Sequence, residues 1–265
     1  MGRHVWTAWF DDALAAGNGG DLALLADEAP DLEAEVTARV AAFRALRTAG
    51  TTALARLQVD RLARNAPETA AALAAQVDSN PNTTPGPTLA LVLAGHMIDA
   101  PGRDAPRFPQ DLAPGVAERV RETMARLAFR PRDRAVVSAA AGGDLLLADA
   151  AMEAGMNLTV CLPFDRARFL ESSVNYAGDS WTRRFRQLID SPGVIVREMP
   201  PAADPNINPF ERVNHWMAYL ALASEADNVR GMVIWDGREG DGPGGAGHMI
   251  GLLQELGVPV DVIRP

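Results

Sequence analysis

Three stretches combine glycine with groups able to hold a ligand or move a proton. The densest is residues 235–247, Trp-Asp-Gly-Arg-Glu-Gly-Asp-Gly-Pro-Gly-Gly-Ala-Gly, with five glycines from Gly237 to Gly245. Gly242, Gly244, Gly245, Gly247 and His248 sit where a loop turns into a helix. Glycine lets backbone pass close to a ligand at positive φ, and the free N–H groups and positive dipole end of a helix start suit a phosphate. Asp236, at the head of the loop, adds a carboxylate. The second stretch is Gly95-His96-Met97-Ile98-Asp99. Here His96 has the chemistry to donate to a phosphate or to act as an acid or base, and Asp99 is a candidate base. The third is Ala140-Ala141-Gly142-Gly143-Asp144, where Asp144 caps a helix, binds a sugar hydroxyl or serves as a base, and the glycines either admit a ligand or make a tight turn.

A fourth region, residues 164–186, mixes aromatics with arginines. Phe164, Asn175 and Tyr176 are its candidate ligand contacts; Phe169, Trp181 and Phe185 fit the inward face of amphipathic helices. Arg103 and Arg107 stand in a proline-bounded loop long enough to be a lid, either clamping phosphate or solvated. The four histidines, His4, His96, His215 and His248, show no metal-ligand spacing, and no Ser-His-Asp set is arranged recognisably. No metal is expected.

Each of these stretches follows an apolar run and precedes a helical pattern. Strands are expected at 89–93, 135–138, 158–162, 194–197, 232–235 and 260–263. Helices are expected between them, including one opened by Asn208-Pro209-Phe210-Glu211, with Asn as cap, Pro in the first turn and Glu three after the cap. Six strands alternating with helices predict an α/β fold, a doubly wound, mainly parallel Rossmann-like sheet. An order such as 3-2-1-4-5-6 would open a crevice between strands one and four. Residues 1–80 instead read as a small all-helical domain: Trp6, Trp9, Phe10 and Leu14 share a stripe, Gly17-Asn18-Gly19-Gly20 stops that helix, and Leu32, Val36, Val40, Phe43 and Leu46 form another stripe. Residues 79–87, Ser-Asn-Pro-Asn-Thr-Thr-Pro-Gly-Pro, read as a linker, so the sheet domain is placed at 88–265.

Composition narrows the chemistry. The chain has 265 residues, 48% hydrophobic and 22% charged, with a net charge of −9. That acidity argues against a general nucleic-acid binder. No apolar run reaches the roughly 18 residues of a membrane span, and residues 1–6 lack the apolar core of a secretory signal, so a cytoplasmic location is expected. All 25 Lys+Arg residues are arginine, which removes a Walker lysine and a Schiff-base lysine, and with the latter pyridoxal phosphate as a cofactor. The single cysteine, Cys161, lies inside an apolar strand and reads as a small hydrophobe.

On Ser138-Ala139-Ala140-Ala141-Gly142-Gly143-Asp144 and Pro243-Gly244-Gly245-Ala246-Gly247, residues 88–265 resemble the Rossmann-like SLOG superfamily, which takes in DprA proteins and LOG phosphoribohydrolases. The resemblance covers about two thirds of the chain. It implies a nucleotide or nucleotide-derived signal held along the glycine loops, in a bacterial signalling-type protein whose helical domain transmits or assembles. The LOG pattern continues Pro-Gly-Gly-x-Gly-Thr-x-x-Glu, and its glutamate is catalytic. Here His248 and Gly251 occupy the Thr and Glu positions. A binding role is thereby favoured over N-glycosidic hydrolysis of a nucleotide, although Asp99, Asp144 or Asp236 could replace the missing base. A protein-interaction scaffold working through residues 1–78 is the third reading, and oligomeric state stays open.

Overall fold

A computed structural model of the chain describes residues 2–48, 51–77, 89–127, 129–130, 133–202, 204–224, 226, 228–238 and 243–265. The expected linker at 79–87, Gly50 and Gly242 lie outside the described residues. The chain forms two compact units, one of residues 1–87, 200–207 and 218–227, the other of residues 88–199, 208–217 and 228–265.

The first unit is helical: α1 (Gly2–Ala15), α2 (Gly19–Asp27), α3 (Leu32–Thr48), α4 (Thr52–Asn65) and α5 (Pro67–Ala74). The expected stop holds, with α1 ending at Ala15 and Gly17 following at φ 62°, but Gly19 and Gly20 go on to open α2. Asn18 caps it, its side chain accepting from Asp21 N at 3.2 Å. Gly19 and Gly20 are required by close packing, since a Cβ on Gly19 would lie 2.7 Å from the Leu46 side chain and one on Gly20 3.0 Å from the Leu220 Cα. Leu22 to Ala26 are then buried on every side, the pattern of a central helix rather than an amphipathic one.

The stripe expected on α3 is displaced. Leu32 is exposed, while Ala38, Arg39, Ala42, Phe43 and Leu46 face inward. Arg39 can be buried because carboxylates meet it: Glu35 Oε1 at 2.7 Å and Asp27 Oδ1 at 3.1 Å, with Gln58 Oε1 at 3.1 Å. Asp27 also accepts from Arg61, and through Oδ2 from the Tyr219 hydroxyl at 2.7 Å. Tyr219 is fully buried. Tyr219→Phe should cost about 2 kcal/mol, the range for a lost hydrogen bond to a charged group, read from urea denaturation.

The second unit carries six strands: β1 (Leu89–Gly95), β2 (Arg134–Val137), β3 (Asn157–Leu162), β4 (Ile195–Glu198), β5 (Asn228–Ile234) and β6 (Val260–Ile263). All neighbours pair in parallel, in the order β4-β3-β2-β1-β5-β6. The α/β Rossmann-like class holds, but the fourth strand is an edge and not the partner of the first. Burial explains it. β1 is buried along its five central residues and pairs over its whole length with β5, whereas β4 ends in the charged pair Arg197-Glu198, buries none of its four residues fully and leaves Ile195 59% exposed. The topological switch therefore falls between β1 and β5.

Helices α6 (Ala113–Ala125), α7 (Gly143–Glu153), α8 (Arg166–Ser173) and α9 (Asp179–Ile189) join the strands from β1 to β4. They pack on one face over Leu91, Leu93, Val137, Val160, Leu162, Met232 and Ile234. Right-handed crossovers send α10 (Pro209–Leu222) and α11 (Ala246–Glu255) to the other face. There the alternate side chains Val92, Cys161 and Val233 are also fully buried. No described helix is long and apolar enough to cross a membrane.

Candidate ligand cleft at the sheet switch point

At the carboxyl ends of β1 and β5 the connections diverge, and a cleft opens there, as the topology of open α/β sheets leads one to expect. It has a volume of about 400 Å³. Its floor is built by two loops pressed together. Gly95 and Gly143 meet backbone to backbone: a Cβ on Gly95 would lie 2.7 Å from the Gly143 Cα. Gly142 has φ of 120°, and a Cβ there would lie 2.5 Å from Ile98 N. Gly143 N donates to His96 O at 2.8 Å and Ile98 N to Ala141 O at 2.9 Å. Gly142 and Gly143 thus sit beneath the cleft, where they permit the crossing of the loops.

Asp144 fastens the same crossing. Its Oδ1 accepts from Gly95 N at 2.8 Å and its Oδ2 from Ala140 N at 3.1 Å. The amides of this turn are largely spent inside the protein, since Ala141 N donates to Ser173 O at 2.9 Å. What the turn offers the cleft is the Asp144 carboxyl itself. Burial pushes that group up to about 7, against the pull of the two amides. Between the ordinary value of 3.8 and about 7 the folded state holds a proton that the unfolded state has lost. The contribution of Asp144 to stability therefore falls as pH rises through that window. Asp144→Asn keeps an acceptor for only one amide, so it should destabilise at every pH, with a deficit smaller at pH 8 than at pH 5 in urea titrations.

His96 lines the cleft, and Asp236 stands behind it. His96 Nε2 lies 2.9 Å from Asp236 Oδ1. Arg107 grips the same carboxylate through Nε at 3.0 Å and Nη2 at 2.8 Å, and its Nη2 also donates to Arg238 O at 2.6 Å. Arg238 adds its amide at 3.0 Å and its Nε at 2.7 Å. Arg107 leads these donors in holding Asp236 well below the usual carboxylate range. Arg107 Nη2 is 3.3 Å from His96 Nε2 but is directed to oxygen acceptors, so the consistent assignment has Nε2–H donating to Asp236 and Nδ1 carrying the lone pair. Burial first, and then the Arg107 charge, hold the imidazole below its ordinary value despite Asp236. A neutral ring with an accepting Nδ1 is suited to a hydroxyl or a water. The donation to phosphate expected of His96 does not fit it.

Asp99 holds the following loop closed: its Oδ2 accepts from Arg107 N and Phe108 N, each at 2.9 Å. Its Oδ1 has no hydrogen-bond partner, and Arg103 Nε stands 3.5 Å away. Tyr176 donates to Ile98 O at 2.8 Å, and burial raises its phenol.

The far wall belongs to α10 and α11. Asn208 caps α10, its Oδ1 accepting from Phe210 N at 2.9 Å and Glu211 N at 3.2 Å. Phe210, Val213, Asn214 and Met217 then face the cleft at helical spacing. Sequence reasoning passed over these four; the signal was a lone Asn inside an apolar i, i+3, i+4, i+7 stripe. Asn214 Nδ2 donates to Gly244 O at 2.9 Å and lies 3.0 Å from His248 Nδ1. Gly244 has φ of 81°, and a Cβ there would collide with the backbone of Phe210. Pro243, Gly244, Gly245 and Ala246 border the cleft where α11 begins.

Other expected contacts fall elsewhere. Asn175 Oδ1 accepts from the Thr182 hydroxyl at 3.0 Å, holding a local turn. Phe164 lies under Arg168, 4.3 Å from its guanidinium, and edge-on to Phe210. Gly247 faces the Trp235 indole, and His248 lies 5.6 Å from His215 between ring centres. Burial, with His215 second, lowers His248. These positions border the cleft's supports rather than its lining. Among the described residues no cluster of His, Cys, Asp and Glu could hold a metal ion.

Neither a protein-family model nor a curated protein sequence matches the chain. Among solved structures, the X-ray structure of DNA processing protein A (DprA) from Streptococcus pneumoniae is similar at 16% identity over 66% of this chain, with a TM-score of 0.30. The chain covers 58% of that protein. The fold assignment rests on the strand order and the crossovers.

Proposed function

We propose that the sheet unit binds a nucleotide or nucleotide-derived signal in the cleft between β1 and β5. The observation that carries this reading is the start of α11. A helix leaves its first-turn amides without intrahelical acceptors. Here that turn borders an open cleft, and Asn214 holds the Gly244 carbonyl. A phosphate at this point meets donors and the positive end of a dipole. Phe169, Tyr176 and Phe210 line the same cleft and give a base its aromatic surroundings. The helical unit then serves as a transmitter or an assembly element.

Thermal unfolding with a panel of nucleoside mono-, di- and triphosphates and ADP-ribose tests this. A ligand at about 100 times its Kd stabilises by about 2.7 kcal/mol. No shift with any member of the panel would sink the proposal.

One observation favours a second reading, hydrolysis of the N-glycosidic bond of the bound nucleotide. Asp144, held near pH 7, lines the cleft with a carboxyl able to give or take a proton at neutral pH. Free base released from nucleoside monophosphates or NAD by the wild type, and lost in Asp144→Asn with binding retained, would establish it.

A further inference from the structure

We propose that the β1 side of the cleft reads sugar hydroxyls and selects ribose over 2′-deoxyribose. This rests on the nucleotide reading above and names what that site demands of the ligand's sugar.

His96, Asp99 and Asp144 line this wall, with Arg103, Arg107 and Ser138 beside them. His96 and Asp144 are 9% and 7% exposed, and the Asp99 side chain 8%. His96 and Asp99 have no donor left to offer, and Asp144 has one only while it keeps its proton. His96 spends its N–H on Asp236 and turns an accepting Nδ1, without a partner among the described residues, to its surroundings. The Asp144 oxygens each take one amide and keep further lone pairs. Asp99 is the sharpest case. Its Oδ2 accepts two amides, yet its Oδ1 is buried with no hydrogen bond, and the nearest cation stands at 3.5 Å. Buried polar atoms in native proteins are nearly always paired, and one that is not calls for a reason. A buried carboxylate oxygen that has an ion-pair neighbour in Arg103 at 3.5 Å but no hydrogen bond, beside a cleft, is completed by a donor arriving with the ligand.

The chemistry of that donor is constrained. In the nucleotide reading the anionic group of the ligand sits at the α11 start across the cleft, which leaves the sugar for this wall. His96 and Asp99 stand on the same loop after β1 and offer one accepting atom each, and the vicinal diol of a ribose offers two adjacent hydroxyls. A base with an exocyclic amine is the other source of donors, and the experiment separates the two.

The test is titration calorimetry on the full chain with the four ribonucleoside 5′-monophosphates, their 2′-deoxy counterparts, and inosine monophosphate, which lacks the amine of adenosine monophosphate. The expected result is binding about ten- to a hundredfold weaker for each 2′-deoxy ligand, the range for a hydroxyl whose loss strands a charged acceptor. Inosine and adenosine monophosphates should bind alike. His96→Phe leaves Asp236 its arginine partners, and Asp99→Asn keeps an oxygen for the two amides; both should shrink the ribose preference to below about threefold while unfolding cooperatively. Equal binding of ribo and deoxy ligands overturns the inference and leaves the nucleotide reading standing. So does a preference that follows the amine, or a preference unchanged in both variants. If none of the ligands binds, the nucleotide reading fails and this one with it.

Discussion

Gly95→Ala should cost more than about 3 kcal/mol of stability, the upper range for a substitution that forces new atoms into packed surroundings. The added methyl would meet the Gly143 Cα at 2.7 Å and its carbonyl carbon at 3.0 Å. Both are backbone atoms, and neither can retreat cheaply. Gly143 is tied to His96 O, and Gly95 to Asp144. Gly143→Ala should fail in the same way from the other side, with contacts of 2.6 and 2.9 Å to Gly95. Gly251→Ala is the contrast. It lies inside α11, where a Cβ meets nothing within 4 Å, and alanine there should stabilise by up to about 1 kcal/mol through helix propensity. Urea unfolding followed by circular dichroism separates the cases. If Gly95→Ala and Gly251→Ala unfold at the same midpoint, the two loops do not cross as described.

Arg107→Ala should rank next, with a loss of about 3 kcal/mol at pH 7. Arg107 and Asp236 bury side chains only 7% and 10% exposed, and removing one member of a buried pair leaves the other charge poorly compensated. His96 and Arg238 still reach Asp236, which limits the damage. The pH dependence gives the sign. Because the folded-state value of Asp236 is depressed, its contribution is complete above the ordinary carboxylate value of 3.8 and is lost as pH falls through the lower folded one. Without Arg107 the depression weakens, so the variant loses this contribution at a higher pH than the wild type, and the gap between them should hold from pH 7 to about 3.8 and narrow below it. A gap that does not narrow in acid below that value would show that Arg107 acts by packing alone. Lysine is no substitute, because it lacks the planar fork that reaches both carboxylate oxygens.

What the chain discloses by itself is local. The apolar runs of all six strands announce them, β4 included with a shift of one residue, and Asn208-Pro209-Phe210-Glu211 caps α10 in the way its residue types dictate. Strand order is not local. The one local sign of the edge position is the charged pair Arg197-Glu198 at the end of Val194-Ile195-Val196-Arg197-Glu198. Helix α2 was hidden because glycine signals a turn when read alone, and only the neighbouring Leu46 and Leu220 show why glycine is needed there. The pairing of His96 with Asp236 spans 140 residues, and no periodicity carries information over such a distance. Asp99, Asp144 and His96 could be picked out by type and position, but their roles could not, since each depends on which amides or cations the fold brings to it.

Cys161 lies in β3 with none of its surface exposed. A thiol reagent can reach it only when the sheet comes apart, so under native conditions its labelling rate is a clock for that event. The wild-type chain therefore carries its own single-site probe. A ligand that tightens the cleft would slow the labelling, and the slowing measures its affinity without any signal from the ligand.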